Sequence, residues 1–273
     1  MNRALCVVVV AVLMIVSLGV RQCVWHCTDA QGEGMSVEDR VRLNVQALRD
    51  DKSVITRAGA AKVLGDIGPD AAEGTPALAD ALLHDKHSMV RTHAAKALGK
   101  IRNGDEEGVH ALDEALWTDK STEVRKNAIW ALGEIGDRSD DTIKGLSAAL
   151  RNKDPEIGVS AARAMSKIGS SSGSVIYYLC KALLHASSPR VRQEVARTLG
   201  DLGPGARDAT TTLAKALEDE DAEVRLSAAE ALGKIGREAL EAASALSKAT
   251  RDADTRVRAQ AKKSLMEMAR SGR

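Results

Sequence analysis

A motif of fixed length returns at intervals of 33 or 34 residues, and nothing else in the chain constrains its fold as tightly. The segments Val90-Arg91 to Gly99, Val124-Arg125 to Gly133, Val191-Arg192 to Gly200 and Val224-Arg225 to Gly233 each read Val-Arg, six residues, then Leu-Gly. Anchor leucines recur at Leu64, Leu98, Leu132, Leu199, Leu232 and Leu265, with Met165 in the fourth place. A second series, Leu78, Leu112, Leu146, Leu179, Leu213 and Leu246, keeps the same step, so each repeat holds two helices. A period of this size means a stack of supersecondary units, each too small to bury its own apolar face.

Punctuation supports this. Four residues before the arginine position stand Ser53, His87, Ser121, Asp154, Ser188, Asp221 and Asp254, and six of these seven are side chains able to cap a helix N-terminus. Pro155 and Pro189 follow directly, at the first helical position, which needs no N–H donor. Gly68, Gly136, Gly169, Gly203 and Gly236 stand where a helix ends in a residue of positive φ. Between these signals, Ala60-Ala61, Ala94-Ala95, Ala161-Ala162 and Ala228-Ala229 join the leucines in one apolar stripe at helical spacing. With no Phe and 44% apolar residues, the core must be built from Ala, Leu, Ile and Val, which suits closely spaced helices. The expected fold is all-α, a solenoid of about seven stacked two-helix repeats over residues 37–270, preceded by an N-terminal hydrophobic helix and followed by a tail at 271–273.

Tetratricopeptide repeats share the period, but their Trp, Tyr, Phe and Pro positions are not filled here, and Thr75-Pro76-Ala77-Leu78 matches the ankyrin signature only once. The run Asp-x5-Arg (Asp51/Arg57, Asp85/Arg91, Asp119/Arg125, Asp219/Arg225, Asp252/Arg258), followed by AAxALGxIG, resembles the short HEAT repeats named after phycobilisome lyases. The resemblance implies an α-solenoid whose second helices line a concave face. It leaves function open, since this architecture hosts many. The fourth repeat departs from the pattern, with Gly158 for Arg and Ser166 for Gly, and leads into Ser170-Ser171-Ser172-Gly173-Ser174, which reads either as a hinge or as an inert loop. In the last repeat Lys262 and Met266 replace an apolar residue and a glycine, as a terminal unit with no further neighbour requires.

Ahead of the array, Ala4 to Val20 carry no charge and are flanked by Arg3 and Arg21. Residues 1–30 read as an export signal or signal anchor and 31–36 as a linker, so the chain is expected to be exported or membrane-anchored, with cleavage undecided. Cys23 and Cys27 flank Val24-Trp25-His26, where a disulfide, free or lipid-modified thiols, or a metal site are all open. Cys180 sits on a repeat helix.

Two enzyme readings come with the resemblance. Deoxyhypusine hydroxylase-like members hold two irons with His-Glu dipeptides just after the Val-Arg pair, and those places here read Thr92-His93, Lys126-Asn127, Gln193-Glu194, Leu226-Ser227 and Ala259-Gln260. Bilin-lyase-like members attach a tetrapyrrole and have no short defining motif. A small-molecule enzyme of that kind remains the alternative, although an exported chain would rarely meet cytosolic phycobiliproteins. His84-Asp85-Lys86-His87 with His93 can be drawn as a metal site, though histidines at such turns are commonly just solvated. No Ser or Cys has a paired base at a readable spacing, and no catalytic residue or cofactor is assigned.

The functional signal lies on the outward side of the second helices. Five residues after the arginine position stand Lys62, Lys96, Trp130, Arg163, Arg197, Glu230 and Lys263, six of them charged. Adding the positions one turn away brings in Lys100, Lys126, Glu134 and Lys167, so the middle repeats carry a mainly basic ridge around one tryptophan. Lys96, Lys100, Lys126, Trp130, Arg163, Lys167 and Arg197 are the candidate contacts for a protein or peptide partner of acidic character. Nucleic acid fits poorly, because Lys and Arg (39) barely exceed Asp and Glu (38) and stacking aromatics are nearly absent. The expected role is a non-catalytic scaffold.

Overall fold

In a computed structural model, residues 34–169 and 173–270 are described. The segment Ala4 to Val20, Cys23, His26, Cys27 and the centre of the serine-rich linker lie outside the described residues. Seven helix pairs follow one another: α1 (Val37–Asp50) and α2 (Val54–Ile67), α3 (Thr75–His84) and α4 (Ser88–Ile101), α5 (Glu106–Thr118) and α6 (Thr122–Ile135), α7 (Asp140–Ala149) and α8 (Pro155–Ile168), α9 (Gly173–His185) and α10 (Pro189–Asp201), α11 (Thr210–Ala216) and α12 (Ala222–Ile235), and α13 (Ala243–Ala249) and α14 (Thr255–Arg270). No strand occurs among the described residues, and no helix among them is long and apolar enough to cross a membrane.

The helices start and stop where their caps dictate. Ser53, Ser121, Asp154, Asp221 and Asp254 each accept a backbone N–H of the first turn. Ser188 occupies the same position without a side-chain bond, as does His87. Gly68, Gly136, Gly169, Gly203 and Gly236 all have φ between 58° and 88°. In the second repeat, which has no such glycine, Arg102 takes the left-handed conformation at φ 54°. Three short 3₁₀ segments, Gly68–Gly74, Gly203–Ala209 and Gly236–Ala242, link α2 to α3, α10 to α11 and α12 to α13, two of them opened by Gly-Pro.

Both leucine series form the core. Leu78, Leu112, Leu146, Leu179, Leu213 and Leu246 are fully buried between first and second helices, as are Leu64, Leu132, Met165, Leu199 and Leu232. Leu265, in the last repeat, is half-buried because no described helix stacks beyond α14, and Met266 is 60% exposed.

Two interactions lock each repeat to the next. The glycine of Leu-Gly is a contact point between second helices: a Cβ on Gly65, Gly99, Gly133 or Gly200 would lie 2.7–2.8 Å from the Cα of Ala97, Ala131, Ala164 or Ala231 one repeat on. Neighbouring second helices therefore nearly touch through their backbones, and their contacts exceed those between first helices. Closer spacing on one layer bends the stack, with the second helices on the inner side. The junction α8–α10 is the least extensive of the second-helix contacts; there Ser166 replaces the glycine and Thr198 the alanine.

The second interaction is a ladder of bidentate ion pairs. Arg57, Arg91, Arg192 and Arg225 reach Asp85, Asp119, Asp219 and Asp252 of the following repeat, with Nε to carboxylate distances of 2.6, 2.6, 2.8 and 2.8 Å. Each guanidinium also donates to a carbonyl in its own repeat's loop, such as Arg91 Nη1 to Asp85 O at 2.9 Å, and each aspartate accepts the backbone N–H two residues on. For Asp85, Asp119 and Asp219 burial raises the carboxyl pKa, but the arginine and backbone donors outweigh it and hold the group below its ordinary value. For Asp252 the Arg225 hydrogen bond dominates in the same direction.

The ladder breaks twice, at adjacent rungs. Arg125 finds Asn152 where an aspartate belongs, and its Nε is buried without a hydrogen-bond partner. The next rung has lost both members, with Gly158 for arginine and Ala186 for aspartate. A Cβ on Gly158 would lie 2.7 Å from Val191 Cγ2, so the space of the missing side chain has been filled by the next repeat.

Candidate functional site

The outward face of the second helices carries three parallel rows of side chains, one from each repeat. Helical geometry places residues two before, five after and nine after the arginine position on one side, opposite the alanine and leucine stripe. Their order along the array decides the electrostatics of the face.

The row nine residues on reads Asp66, Lys100, Glu134, Lys167, Asp201, Lys234, Glu267, an alternation of sign. Stacking turns it into pairs: Lys100 meets Asp66 at 2.7 Å, Lys167 meets Glu134, and Lys234 meets Asp201 at 2.9 Å. The hydrogen bond that it donates to Asp201 holds the Lys234 ammonium above its ordinary pKa. In the row five residues on, Arg163 donates to Glu194 at 2.8 Å, Arg197 lies 3.8 Å from the same carboxylate, and Lys263 lies 3.7 Å from Glu267. In the row two residues before, Lys126 bridges Glu123 (3.8 Å) and Glu156 (3.9 Å), Arg190 meets Glu156, and Arg256 meets Glu223.

The expected basic ridge is therefore largely self-neutralised. Of its cations, Lys100, Lys126, Arg163, Lys167 and Arg197 all face an acid, and only Lys96 lacks an anionic partner among the described residues. The partners of Lys100, Arg163 and Lys167 lie 31 to 34 residues away, one repeat back or forward, so they become neighbours only on stacking. The alternation in the third row was the signal in the sequence that pointed to it. Trp130 also differs from expectation in exposure. It is half-buried and packed against the core, with its ring edge over the bare backbone of Gly99, where an added Cβ would lie 2.8 Å from Cζ3. The glycine that lets α4 and α6 approach also gives the indole a place to lie.

Elsewhere the face of the first helices shows two shallow depressions open to solvent. One is lined by Asp80, His84, Glu106, Glu107 and His110, the other by Leu217, Glu218, Lys248, Arg251 and Asp252. Asp85 is engaged by Arg57, and His93 Nδ1 lies 2.8 Å from the Met89 carbonyl oxygen. No cluster of His, Cys, Asp and Glu among the described residues is arranged to hold a metal ion. Cys180 is half-buried, and burial pushes its thiol pKa up.

No curated protein sequence matches the chain. Among solved structures, an engineered protein is similar at 27% identity and TM-score 0.52, over 84% of this chain and 68% of that one. Importin beta is similar at 15% identity and TM-score 0.57, over 84% of this chain and 35% of that one, a likeness of fold alone. Human deoxyhypusine hydroxylase aligns at 25% identity with a TM-score of 0.41, over 85% of this chain and 97% of that one, too loose a match to carry an argument. The family model for HEAT repeats matches residues 41–126, 114–179 and 176–266. With that model covering most of the chain, and with paired helices stacked through glycine contacts and an Arg–Asp ladder, the protein belongs to the HEAT-repeat family.

Proposed function

We propose that the protein is a non-catalytic scaffold that binds a protein or peptide along the outward face of its second helices, and that residues 4–20 place it at or beyond a membrane. The observation that carries this reading is the continuity of that face. Three rows of mainly charged side chains run over all seven repeats, interrupted by Ile55, Met89 and Trp130, whereas the depressions on the opposite side are shallow. A small-molecule enzyme needs a concave, mostly apolar pocket that buries its substrate. Acidic character in the partner follows from Lys62 and Lys96, the cations of the middle row without an acid beside them. Lys96, Lys100, Lys126, Trp130, Arg163, Lys167 and Arg197 stay the proposed contact set, with the paired members acting by exchanging one carboxylate for another.

A photo-crosslinking amino acid placed at position 96 or 163, on the second helices, and at position 110, on a first helix, tests the face in cells. Defined adducts from 96 and 163 and none from 110 are expected. Adducts from 110 alone would overturn the reading, as would covalent attachment of a tetrapyrrole to a target protein by the purified chain. Fusion of residues 1–36 to a reporter tests location: the reporter should leave the cytosol, and its release in soluble form would decide for cleavage.

A further inference from the structure

On the second-helix face, the pair of Lys100 with Asp66 joins the first two repeats, but the other two rows carry no ion pair there among the described residues. In the row two residues before the arginine position, repeats three to seven carry Glu123, Glu156, Arg190, Glu223 and Arg256, all held in ion pairs. Repeats one and two carry Ile55 and Met89 there, 64% and 42% exposed. Two helical turns further on, about 10 Å along the same face, stand Lys62 and Lys96, neither of which has an anionic partner among the described residues. The next member of their row is Trp130, the apolar side chain resting over Gly99. Large apolar side chains therefore replace charges at the one end of the face where the lysines are left unneutralised. Unpaired surface lysine beside exposed aliphatic surface contributes nothing to the fold, since each group is better solvated or buried elsewhere.

We infer that the face of α2 and α4 around Ile55, Met89, Lys62 and Lys96, bounded by Trp130, is the docking patch for an extended segment bearing apolar side chains beside carboxylates. This rests on the scaffold reading above and deepens it by naming the anchor. Charge complementarity selects the carboxylates, and the spacing selects the pattern. Packed helices lie about 8–10 Å apart, which one turn of an extended polyproline II chain, three residues at about 3.1 Å each, crosses with side chains i and i+3 on the same face. Apolar side chains three residues apart then fall over Ile55 and Met89, and carboxylates between them reach Lys62 and Lys96. Further along the array, a carboxylate must displace Glu194, Glu134 or Glu156 before it gains a cation. The same segment is therefore held more weakly there.

The test uses the full chain in mild detergent and three fluorescein-labelled twelve-residue peptides of repeating Leu-Glu-Glu, Leu-Lys-Lys and Ser-Glu-Glu, read by anisotropy. The first is expected to bind at least tenfold more tightly than the other two. The double variants Ile55→Asp with Met89→Asp, and Lys62→Glu with Lys96→Glu, should each weaken it at least tenfold without lowering the melting temperature, since all four residues lie on the outward face. Arg163→Ala with Arg197→Ala should change it less than threefold. A loss confined to the Arg163 and Arg197 variant overturns the patch and leaves the scaffold reading standing, with its site in the middle repeats. Equal binding of all three peptides, or binding of none, overturns the patch as well. Failure of the peptides leaves the scaffold reading standing while crosslinks from positions 96 and 163 are seen, so the two can fail separately.

Discussion

At the scale of single residues, the arginine seven places before the anchor leucine, where it is Arg57, Arg91, Arg192 or Arg225, does more than mark the repeat. Its planar fork ties the loop carbonyl of its own repeat to the aspartate of the next, and that aspartate in turn holds the loop N–H that leads into a second helix. Asp119 is 6% exposed and its partner Arg91 15%, so removing one leaves the other buried and unpaired. Asp119→Ala is expected to cost about 2 to 3 kcal/mol in urea unfolding. Arg125→Ala, whose rung is already broken, should cost less, and Asn152→Asp should raise stability by about 1 kcal/mol by completing that rung. The acid dependence follows from the lowered carboxyl pKa values of Asp85, Asp119, Asp219 and Asp252. Because the folded state binds these protons less tightly than the unfolded chain, whose aspartates titrate near about 3.9, the stabilisation is complete above that value. It is lost as pH falls through the lower folded values. Melting temperatures measured from pH 6 to pH 2 should drop below about pH 4, and Asp119→Asn should flatten part of that drop.

At the scale of elements, the second helices owe their spacing to glycine. A mid-helix glycine is unfavourable by about 1 kcal/mol against alanine, yet Gly65, Gly99, Gly133, Gly200 and Gly233 keep it in five repeats. Helix propensity and close packing oppose each other there, and the geometry says which wins. An added Cβ at Gly99 would meet Ala131 Cα at 2.7 Å, a backbone atom that no rotamer change can move aside, and overpacking of this kind costs about 1 to 3 kcal/mol. Gly99→Ala should therefore lower the unfolding free energy despite its better propensity, and should shift Trp130 fluorescence as the indole is lifted. Gly145→Ala in α7 is the control: its nearest neighbour is Trp117 Nε1 at 3.7 Å, so it should be neutral or stabilising.

At the scale of the whole molecule, stability is the sum of repeats and their junctions, and the junctions are not equal. Between repeats four and five the ladder has no members, and Ser166 and Thr198 hold α8 and α10 further from contact than their sisters. Together with the Arg125 guanidinium one rung earlier, whose Nε is buried without a partner, this divides the array into blocks of three tied repeats on either side of the fourth. Native-state hydrogen exchange should show α7 and α8 opening with lower free energy than α4 or α12. Uniform protection along the array would contradict the division.

Much of this was legible in the amino-acid sequence for a physical reason: repeats write the same local rules seven times. Cap residues, positive-φ glycines and the alanine and leucine stripes act within one helix or turn, so their spacing alone determined the helices, their ends and the solenoid. The sequence also determined which side chains point outward, since helical period does that. It did not reveal which of those charges are free. Lys100, Arg163 and Lys167 look like a basic ridge in one dimension, and only stacking brings Asp66, Glu194 and Glu134 against them. Trp130 looked exposed because its sister positions are charged, and only the close approach of α4 at Gly99 decided that the ring lies down. The Arg–Asp ladder was visible as an Asp-x5-Arg recurring within five of the seven repeats, but its bonds run between repeats, over 27 or 28 residues. Such pairs carry no local signature, because their energy exists only once two backbones have been brought together by the burial of the core between them.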